Sequence, residues 1–484
     1  MRGAPHLYAF RNPTPYLSAM TIQFWGAART VTGSKHLLTT AAGKRILLDC
    51  GLFQGINTDE LNQQFGFDPA EVDYMVLSHA HIDHTGLLPR LVRNGFAGPI
   101  FTTSATIDLC EIMLMDSARI QVRDLERVNA RRSRRGEAEL EALYDEDDVR
   151  QALTQMVPVA YNESFEISDE VTGLLTDAAH LLGSAAVNLI IRENGSTIRL
   201  TFSGDIGRPD DKILRRFDRF PQADYILCES TYGDRLHEVE PDMKSHLLRI
   251  VQQTCVEQRG KLLIPAFAVD RTQELIYALD QLASDGKLPR IPVYIDSPMS
   301  VLATRVMRRH EEEFNPEILA YIKKDGDAFD VPNLYYIADV ADSKSLNDSD
   351  EPCIVIAPSG MAEAGRIKHH IKNNVEKAST TILLVGYASP NSLGGALKRG
   401  EKEVTIFGEK YQVNARVEVM DSFSAHGDYR EMLEFLSCQD PALVKTLFLV
   451  HGDYDTQQVW REKLLAAGFP DVQIPAMGET VTLT

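Results

Sequence analysis

The sequence predicts a layered α/β protein that contains more than one domain. With 484 residues, the chain is too long for one ordinary hydrophobic core. Short aliphatic runs end in small clusters of glycine, polar or acidic residues, and a helical pattern often follows them. Nearly continuous apolar strands of this kind are typical of sheets that are covered on both faces. The clearest runs are KRILLDCG, YMVLSHAH, IRLTFSGDIG, YILCESTYG, KLLIPAFAVDR, PVYIDSPMS, CIVIAPSGM, TILLVGYAS, VEVMDSFSAHGD and TLFLVHGD.

Composition narrows the class of protein. Hydrophobic residues make up 44% and charged residues 25% of the chain, which is typical of a globular protein that dissolves in water. The absence of an 18-residue apolar run argues against a transmembrane helix, and the first twenty residues lack the apolar core of a signal peptide. The six cysteines form no CxxC pair, and several lie inside apolar runs. We therefore expect a cytoplasmic protein with reduced thiols and no membrane partner.

Charge gives a mixed signal about nucleic acids. A net charge of −19 argues against a protein that coats nucleic acid through its overall charge. A local basic stripe nevertheless recurs every four residues, at Arg119, Arg123, Arg127, Arg131 and Arg135. This spacing places the arginines along one side of a helix. The acidic segment 137–148 could neutralise them, so a salt-bridged hairpin is the more ordinary interpretation and a basic track is the alternative.

Side chains that can perform chemistry follow the predicted strands. In layered α/β folds, ligands gather at the carboxyl ends of strands. We therefore expect a functional site where these strands end. The residues in that position are Asp49, His79, His81, Asp205, Glu229, His426 and His451.

One short stretch predicts a metal site with two parts. LSHAHIDHTGLLPRL, residues 77–91, places three histidines within six residues. His79 and His81 are two residues apart, so extended backbone points both to the same side. Asp83 and His84 lie where the chain turns into a helical pattern, and these can face a second position. The stretch therefore predicts two half-sites for two cations.

Distant residues supply the missing ligands. His180 and Asp205 would complete the first half-site, and His451 would complete the second. Asp205 has two carboxylate oxygens and can bridge both cations. Imidazole and carboxylate ligands with room for water favour zinc, with manganese or iron as lesser options. Taken alone, His180 would more often be a structural histidine, whereas the ordered cluster at 79–84 is rarely accidental.

These motifs resemble a known superfamily. Asp49, His79, His81, Asp83, His84, His180 and Asp205 look like the motifs of the metallo-β-lactamase superfamily. Glu229 in CESTYGD, His426 in FSAHGD and His451 in LVHGDYD look like the three motifs of its β-CASP branch, whose members cleave nucleic acids. The resemblance runs from about Thr21 to the end of the chain.

The resemblance implies a fold and its division. An αββα metallo-β-lactamase domain would carry an inserted α/β β-CASP domain, with RNA or DNA bound between them. We expect the first part of the outer domain at residues 1–207, the insertion at 208–400 and the C-terminal part at 401–484. Residues 1–19 precede the resemblance and show neither strand pattern nor motif, so we expect them to be dispensable for folding.

The resemblance also implies an activity. Members that process RNA carry a histidine at the third motif, as at His451, so a metal-dependent ribonuclease with two zinc ions is the expected function. We expect mainly endonucleolytic cleavage, with 5′-exonuclease action or cleavage of DNA as the alternatives. A small-molecule metallo-hydrolase and an inactive partner subunit are further alternatives, which the insertion and the complete ligand set oppose. RNA is the expected partner, and a homodimer stays open.

Individual roles follow from the same resemblance. Two cations about 3.5–4 Å apart can activate a water and hold the phosphoryl oxygens, with Asp83 or Asp205 taking the proton of the water. His426 is the expected general acid because an imidazole titrates near working pH, and Glu229 would orient it. Asp49 would support the metal loop and not bind metal itself.

Three further residues are candidates to bind substrate. Ser424 lies two residues before His426 and is expected to contact a phosphate. Ser359 and Gly360 belong to the Ser-Gly-Met core of APSGMAEAGR, which the branch shares. The surroundings of that core depart from the family pattern, as does the segment after Val-Gly-Tyr at 385–387.

Overall fold

The computed structural model of the protein describes most of the chain. The described residues are 19–55, 58–193, 195–237, 243–386, 388–389, 392–420 and 424–484. Our expectation about residues 1–19 falls almost wholly outside these ranges, as does the tyrosine of the Val-Gly-Tyr segment.

The first part of the chain builds one sheet and the helices on its outer face. Six strands, β1 to β6, lie in the order in which the chain forms them, and the last strand of the chain, Thr480–Thr482, pairs with β1. The strands are β1 (Thr21–Gly26), β2 (Lys35–Thr39), β3 (Arg45–Leu48), β4 (Tyr74–Val76), β5 (Ile100–Thr102) and β6 (Met156–Pro158). The helices are α1 (Asp59–Asn62), α2 (Ile82–Thr85), α3 (Leu88–Arg93), α4 (Ser104–Arg134) and α5 (Glu146–Thr154).

The next five strands form most of a second sheet. β7 to β10 make an antiparallel meander, and β11 adds to β10 in parallel. The strands are β7 (Ser164–Glu166), β8 (Val171–Asp177), β9 (Ala185–Glu193), β10 (Ser196–Phe202) and β11 (Tyr225–Cys228).

A third sheet lies in a cap that is inserted into this framework. Its six strands are all parallel, in the order β14-β13-β15-β12-β16-β19, and a separate hairpin joins β17 to β18. The strands are β12 (Lys261–Pro265), β13 (Val293–Ile295), β14 (Leu334–Tyr336), β15 (Cys353–Ala357), β16 (Thr381–Val385), β17 (Glu403–Ile406), β18 (Glu409–Gln412) and β19 (Arg416–Met420). The helices are α6 (Met243–Val251), α7 (Arg271–Ser284), α8 (Pro298–Met307), α9 (Pro316–Asp325), α10 (Val340–Asp348), α11 (Gly365–Asn374) and α12 (Leu393–Lys398).

The end of the chain returns to the first two sheets. Strand β20 pairs in parallel with β11, and β21 pairs with β20, so that the second sheet also reaches seven strands. These last elements are α13 (Tyr429–Leu436), β20 (Thr446–Leu449), α14 (Tyr454–Ala466), β21 (Val472–Gln473) and β22 (Thr480–Thr482).

Packing arranges these elements as an αββα sandwich with a covered cap. Phe24 and Val76 of the first sheet share one buried cluster with Leu189 and Phe448 of the second, so the two sheets lie face to face. Helices α13 and α14 cover the outer face of the second sheet, where Trp460 is fully buried. Separate apolar clusters lie on the two faces of the cap sheet. The predicted fold class and the ten predicted strands are confirmed.

Two strands near the predicted domain boundaries pair with strands on the other side of them. Strand β11 belongs to the second sheet of the sandwich, although it follows the predicted boundary at residue 207. Strand β19 pairs with β16 in the cap sheet, although it follows the predicted boundary at 400. An apolar run predicts a strand but does not say which sheet it joins, so the boundaries at 207 and 400 stay predictions. The cap elements run from α6 to β19, residues 243–420.

The arginine stripe lies on a long helix, as its spacing predicted. The buried residues of α4 all lie between Ala105 and Ala118, and the following half is exposed. Acidic residues of the returning segment pair with this half: Arg119 with Glu146, and Arg132 with Glu137 at 3.1 Å. These pairs join the helix to the acidic segment, as a salt-bridged hairpin would, and of the two arginines only Arg119 belongs to the stripe.

The predictions about the cysteines and about a transmembrane helix can also be compared with the structure. All six cysteines are free, and five of them are buried. Among the described residues, no helix is both long enough and apolar enough to cross a membrane.

Candidate metal centre and active site

Strand topology brings the candidate site residues to one end of the sandwich. In the second sheet, β10, β11 and β20 are parallel neighbours, and Asp205, Glu229 and His451 follow their carboxyl ends. In the first sheet, β3 and β4 are parallel, and Asp49 and His79 follow them in the same way. Parallel strands that end together place these residues at a shared edge. This explains why distant motifs meet.

Three of the turns at this edge have left-handed backbone. Asp49, Ala179 and His451 have positive φ angles of 58°, 56° and 52°. Such a conformation costs a residue other than glycine roughly 1–3 kcal/mol and persists only where surrounding contacts impose it. Each of these residues either is a candidate site residue or precedes one directly. The sharp turns aim side chains from the strand ends into a common space.

The first cluster consists of three imidazoles and one carboxylate. His81 Nδ1 lies 3.1 Å from both His79 Nε2 and His180 Nε2. Asp205 Oδ2 lies 3.5 Å from His79 Nε2 and also from His180 Nε2. Ligand atoms that surround a zinc ion tetrahedrally at about 2.0–2.1 Å are themselves about 3.3 Å apart. The spacing of this cluster therefore fits a four-coordinate cation.

The second cluster uses the other oxygen of the same carboxylate. Asp205 Oδ1 lies 3.3 Å from His84 Nε2 and 3.5 Å from His451 Nδ1. Asp83 Oδ2 lies 3.4 Å from His451 Nε2. Asp83, His84 and His451 can hold a second cation, with Asp205 between the two clusters. The structure thus brings together all seven residues that the sequence predicted as ligands.

Buried polar atoms in the clusters fit bound cations. His84 Nε2 and Asp205 Oδ1 are buried and lie 3.3 Å apart, but they form no well-oriented hydrogen bond. Asp205 is 2% exposed, and unpaired buried polar atoms are costly unless a ligand satisfies them. The chemistry of the donor atoms points to a metal because imidazole and carboxylate together are typical ligands of zinc.

Electrostatics favours the metal-binding forms of the residues in the first cluster, whereas in the second cluster the Asp205 and Asp49 carboxylates outweigh burial and raise the pKa of His84. Burial lowers the pKa of His81 to about 4, and burial together with neighbouring imidazoles keeps the pKa of His79 and His180 well below the usual value. Burial alone would raise the pKa of Asp205, but the surrounding imidazoles hold it well below its usual range. Neutral imidazoles and ionised carboxylates are the states that metal binding requires.

Asp49 supports the histidine loop from behind. Its Oδ2 lies 2.6 Å from His84 Nδ1 and accepts the Ser78 hydroxyl at 2.8 Å. Its Oδ1 accepts the backbone N–H of Ser78, also at 2.8 Å. With Nδ1 facing a carboxylate, His84 presents Nε2 to the second cluster. A carboxylate behind a ligating histidine is a common arrangement, and it orients the ring.

A separate pair lies beside the clusters. His426 Nδ1 lies 3.1 Å from Glu229 Oε1, and the His426 ring packs on His180 with 4.5 Å between centroids. Burial would lower the pKa of His426, but the Glu229 carboxylate outweighs it and raises that pKa to about 9. Glu229 is itself held by backbone N–H groups of Ile206 at 2.6 Å and Thr231 at 3.2 Å. The pair therefore presents a protonated imidazole next to the clusters.

Two residues of the site were missed by the sequence analysis. The Thr231 hydroxyl lies 3.0 Å from His451 Nδ1 and can fix the orientation of that ring. His237 Nε2 donates to the backbone carbonyl of His426 at 2.9 Å. Both residues follow Glu229 closely in the chain, and that proximity is the signal by which they could have been found.

A cleft between the sandwich and the cap lies beside the chain segment that carries His426. Its volume is about 930 Å³, and residues of both units line it. Ser424 and Asp428, which flank His426 in sequence, belong to its wall. Ser359 and Gly360 lie instead at the carboxyl end of β15, where Gly360 packs closely on the ring of Phe267. The structure thus places Ser424 at the cleft and the Ser-Gly-Met core on the cap.

Comparison with known proteins agrees with this geometry. The chain matches family models described as the metallo-beta-lactamase superfamily at residues 36–101 and the Beta-Casp domain at residues 272–397. A third match, at residues 410–475, is to a Zn-dependent metallo-hydrolase RNA specificity domain.

Similar proteins extend the match over the chain. Ribonuclease TTHA0252 of Thermus thermophilus is 37% identical over 96% of this chain and 100% of its own length. Transcription termination factor FttA of Methanosarcina mazei is 28% identical over 88% of this chain. The protein of the same name from Thermococcus kodakarensis is 30% identical over 87% of this chain. The chain spans 66% and 65% of these two archaeal proteins.

A solved structure also shares the fold. The crystal structure of a protein of unknown function from Enterococcus faecalis V583 matches 96% of this chain and 100% of that chain, with a TM-score of 0.52 and 13% identity. The fold and the site together define a metallo-hydrolase with an inserted cap. The chain belongs to the β-CASP branch of the metallo-β-lactamase superfamily.

A substitution at Asp49 tests whether its contacts to His84 and Ser78 strengthen metal binding, without removing a proposed metal ligand. We predict that Asp49→Asn weakens zinc binding about 10- to 100-fold, because the amide holds the His84 ring and Ser78 less firmly than a carboxylate does. Competition against a chelator measures the affinity. Asp285→Asn, which changes an exposed carboxylate paired with Lys287, is the matched control and should bind zinc like the wild type. Unchanged affinity in Asp49→Asn would show that the loop does not need this support.

Proposed function

We propose that this protein is a metal-dependent ribonuclease that hydrolyses RNA phosphodiester bonds, mainly as an endonuclease, in the cleft between sandwich and cap. The observation that carries the proposal is the convergence of seven metal-ligand side chains beside the Glu229–His426 pair. A hydrolase with two adjacent cation sites and a positioned proton donor is suited to phosphodiesters. The similar protein named a ribonuclease and the match to an RNA specificity domain support RNA as the substrate.

We propose two zinc ions as the cofactor. His79, His81, His180 and Asp205 would hold the first ion, while Asp83, His84 and His451 would hold the second together with Asp205. Two bound ions would lower the pKa of a water molecule and neutralise charge on the phosphoryl oxygens. Four donors for each ion and the short ligand spacing favour zinc over manganese or iron.

The residues around the clusters supply the proton transfers. His426 faces Glu229 through Nδ1, so its Nε2 is the atom that would protonate the leaving oxygen. Glu229 keeps the imidazole oriented and charged. The His451 hydrogen bond and the neighbouring imidazoles together outweigh the effect of burial and lower the pKa of Asp83 to about 2. Its carboxylate is therefore ionised, and it would help to hold a cation and accept a hydrogen bond from the attacking water. Ser424, at the wall of the cleft, would contact a phosphate, and Ser359 and Gly360 would contact RNA from the cap.

The alternatives differ in what they require of the site. An inactive partner subunit would not need the seven ligands to converge, and a small-molecule hydrolase would not need the cap. Cleavage of DNA and 5′-exonucleolytic cleavage use the same chemistry as endonucleolytic cleavage of RNA. These activities must therefore be distinguished by the substrates that the protein cuts. A circular RNA offers no end: cleavage of it supports endonuclease action, and cleavage of only linear RNA would contradict it. A homodimer and a cytoplasmic location remain predictions.

Metal content is the first test. We predict about two zinc ions per chain in protein reconstituted with zinc and then freed of excess metal, because two clusters with carboxylate and imidazole donors are present. Elemental analysis by mass spectrometry measures the ratio. A ratio near zero in folded protein would contradict the proposal, and a ratio near one would contradict the second site.

Three substitutions separate proton transfer from metal binding. His426→Ala should retain both ions and slow cleavage by roughly 10²–10⁴-fold, the range typical of a lost proton donor. His451→Ala should weaken the second metal site, and Glu229→Gln should give an intermediate loss of rate, because it only orients His426. Zinc content and single-turnover cleavage of labelled RNA are measured on the same preparations.

The controls distinguish the two roles of histidine. If His426→Ala loses zinc, or cleaves at the wild-type rate when chemistry is limiting, its role as general acid is wrong. The exposed His369→Ala, far along the cap helix α11, is a matched histidine variant for zinc content and should keep both ions.

A further inference from the structure

The turn of the cap hairpin carries a side chain that the turn itself does not favour. Phe407 and Gly408 connect β17 to β18, with Ile406 paired to Glu409, and their φ angles are 53° and 82°. A two-residue turn with both φ angles positive is a type I′ turn, which favours Asn-Gly or Asp-Gly. A bulky side chain at positive φ is unfavourable. Local structure therefore does not explain a phenylalanine at this position.

Burial does not explain it either. Phe407 is 51% exposed, so much of its ring faces solvent. The ring lies against the exposed ring of His369 on helix α11, with centroids 4.6 Å apart and planes 34° from parallel. Burial and neighbouring positive groups lower the pKa of His369. The two rings form a tilted pair at the surface of the cap.

Two lysines border these rings. Nζ of Lys368 lies 5.4 Å and Nζ of Lys372 lies 5.9 Å from the centroid of Phe407. Each also pairs with a carboxylate, Lys368 with Glu363 at 3.2 Å and Lys372 with Glu409 at 3.1 Å. Ion pairs near the surface contribute little to stability, so a phosphate can compete for these ammonium groups. The rings and the lysines together are called the Phe407 platform below.

The platform lies close to the part of the cap that we expect to meet substrate. Helix α11 begins at Gly365, which packs against Pro358 of the Ser359–Gly360 loop. His369 is four residues further along the helix, a rise of about 6 Å. A strand of RNA that passes the loop can therefore continue to the platform.

We propose that the Phe407 platform binds a base of single-stranded RNA outside the cleavage cleft, with the rings stacking on the base and Lys368 and Lys372 contacting its phosphates. Stacking on aromatic rings tolerates any base, because every base has a flat face, and lysines add contacts to the backbone. Two ammonium groups beside exposed aromatic rings suit the bases and phosphates of a single strand. The proposal rests on the proposed function, which makes RNA the substrate.

The substitution Phe407→Asn tests the platform without harming the turn. Asparagine suits a type I′ turn better than phenylalanine does, so the variant should keep the melting temperature of its parent. Binding is measured by fluorescence anisotropy with labelled RNAs of about 4 and about 16 nucleotides, which span the usual size of single-stranded sites. All proteins carry His426→Ala, so that the RNA is cut slowly. We expect the preference for the longer RNA to fall about 5- to 100-fold.

Two control variants make the result specific. Phe407→Trp, which retains a ring, should restore the preference for the longer RNA. Tyr335→Thr removes a cap aromatic of similar exposure, 48%, and should keep the preference of the parent. An equal loss in Tyr335→Thr and Phe407→Asn would show a nonspecific effect and overturn the proposal.

The remaining outcomes separate this proposal from the proposed function. If wild-type protein cleaves RNA but Phe407→Asn keeps the full preference for the longer RNA, the platform is wrong and the ribonuclease stands. Such a result would also be expected if the platform binds a protein. If wild-type protein with zinc neither cleaves nor binds RNA, the proposed function fails and the platform fails with it.

Discussion

The shared carboxylate of Asp205 is the constraint on which the rest of the site depends. Its two oxygens face different clusters, Oδ2 toward His79 and His180, and Oδ1 toward His84 and His451. A carboxylate that is 2% exposed is costly to bury without opposite charge. Cations on both sides would neutralise it, so the two half-sites depend on each other through one residue.

The position of this carboxylate follows from the sheets. Asp205 follows β10, the central strand between β9 and β11, and parallel pairing of β10, β11 and β20 brings Glu229 and His451 to the same edge. The left-handed turns at Asp49 and His451 then direct side chains inward. The apolar core between the sheets holds these strands in register, and this stability permits strained turns at their ends.

The cap is connected to the proton donor as well as to the cleft. Five residues separate the end of the cap strand β19, at Met420, from His426. His426 in turn contacts Glu229 of the sandwich, and its carbonyl is held by His237. The proposed general acid thus lies where the two units meet, next to the cleft. A short stretch of chain thus connects the cap, which we propose contacts RNA, to the proposed general acid.

The sequence predicted which side chains would converge better than it predicted which sheet each strand would join, for a physical reason. Metal chemistry restricts the residue types and their order, so the stretch from His79 to His84 is specific, and each distant ligand follows an apolar strand. Which sheet a strand joins depends on tertiary pairing, and for this reason the assignments of β11 and β19 were missed. Thr231 contacts His451 and Phe407 contacts His369, and both partners are distant in sequence. Such contacts are visible only in the folded chain.

The zinc content of Asp205→Ala, compared with that of His180→Ala, tests the shared carboxylate most directly. Both proteins are reconstituted with zinc and analysed by mass spectrometry, with circular dichroism to verify folding. His180→Ala should retain about one zinc ion because the second cluster stays complete, whereas Asp205→Ala should lose both ions because each cluster loses a donor. A folded Asp205→Ala protein that retains one zinc ion as tightly as His180→Ala would contradict the account.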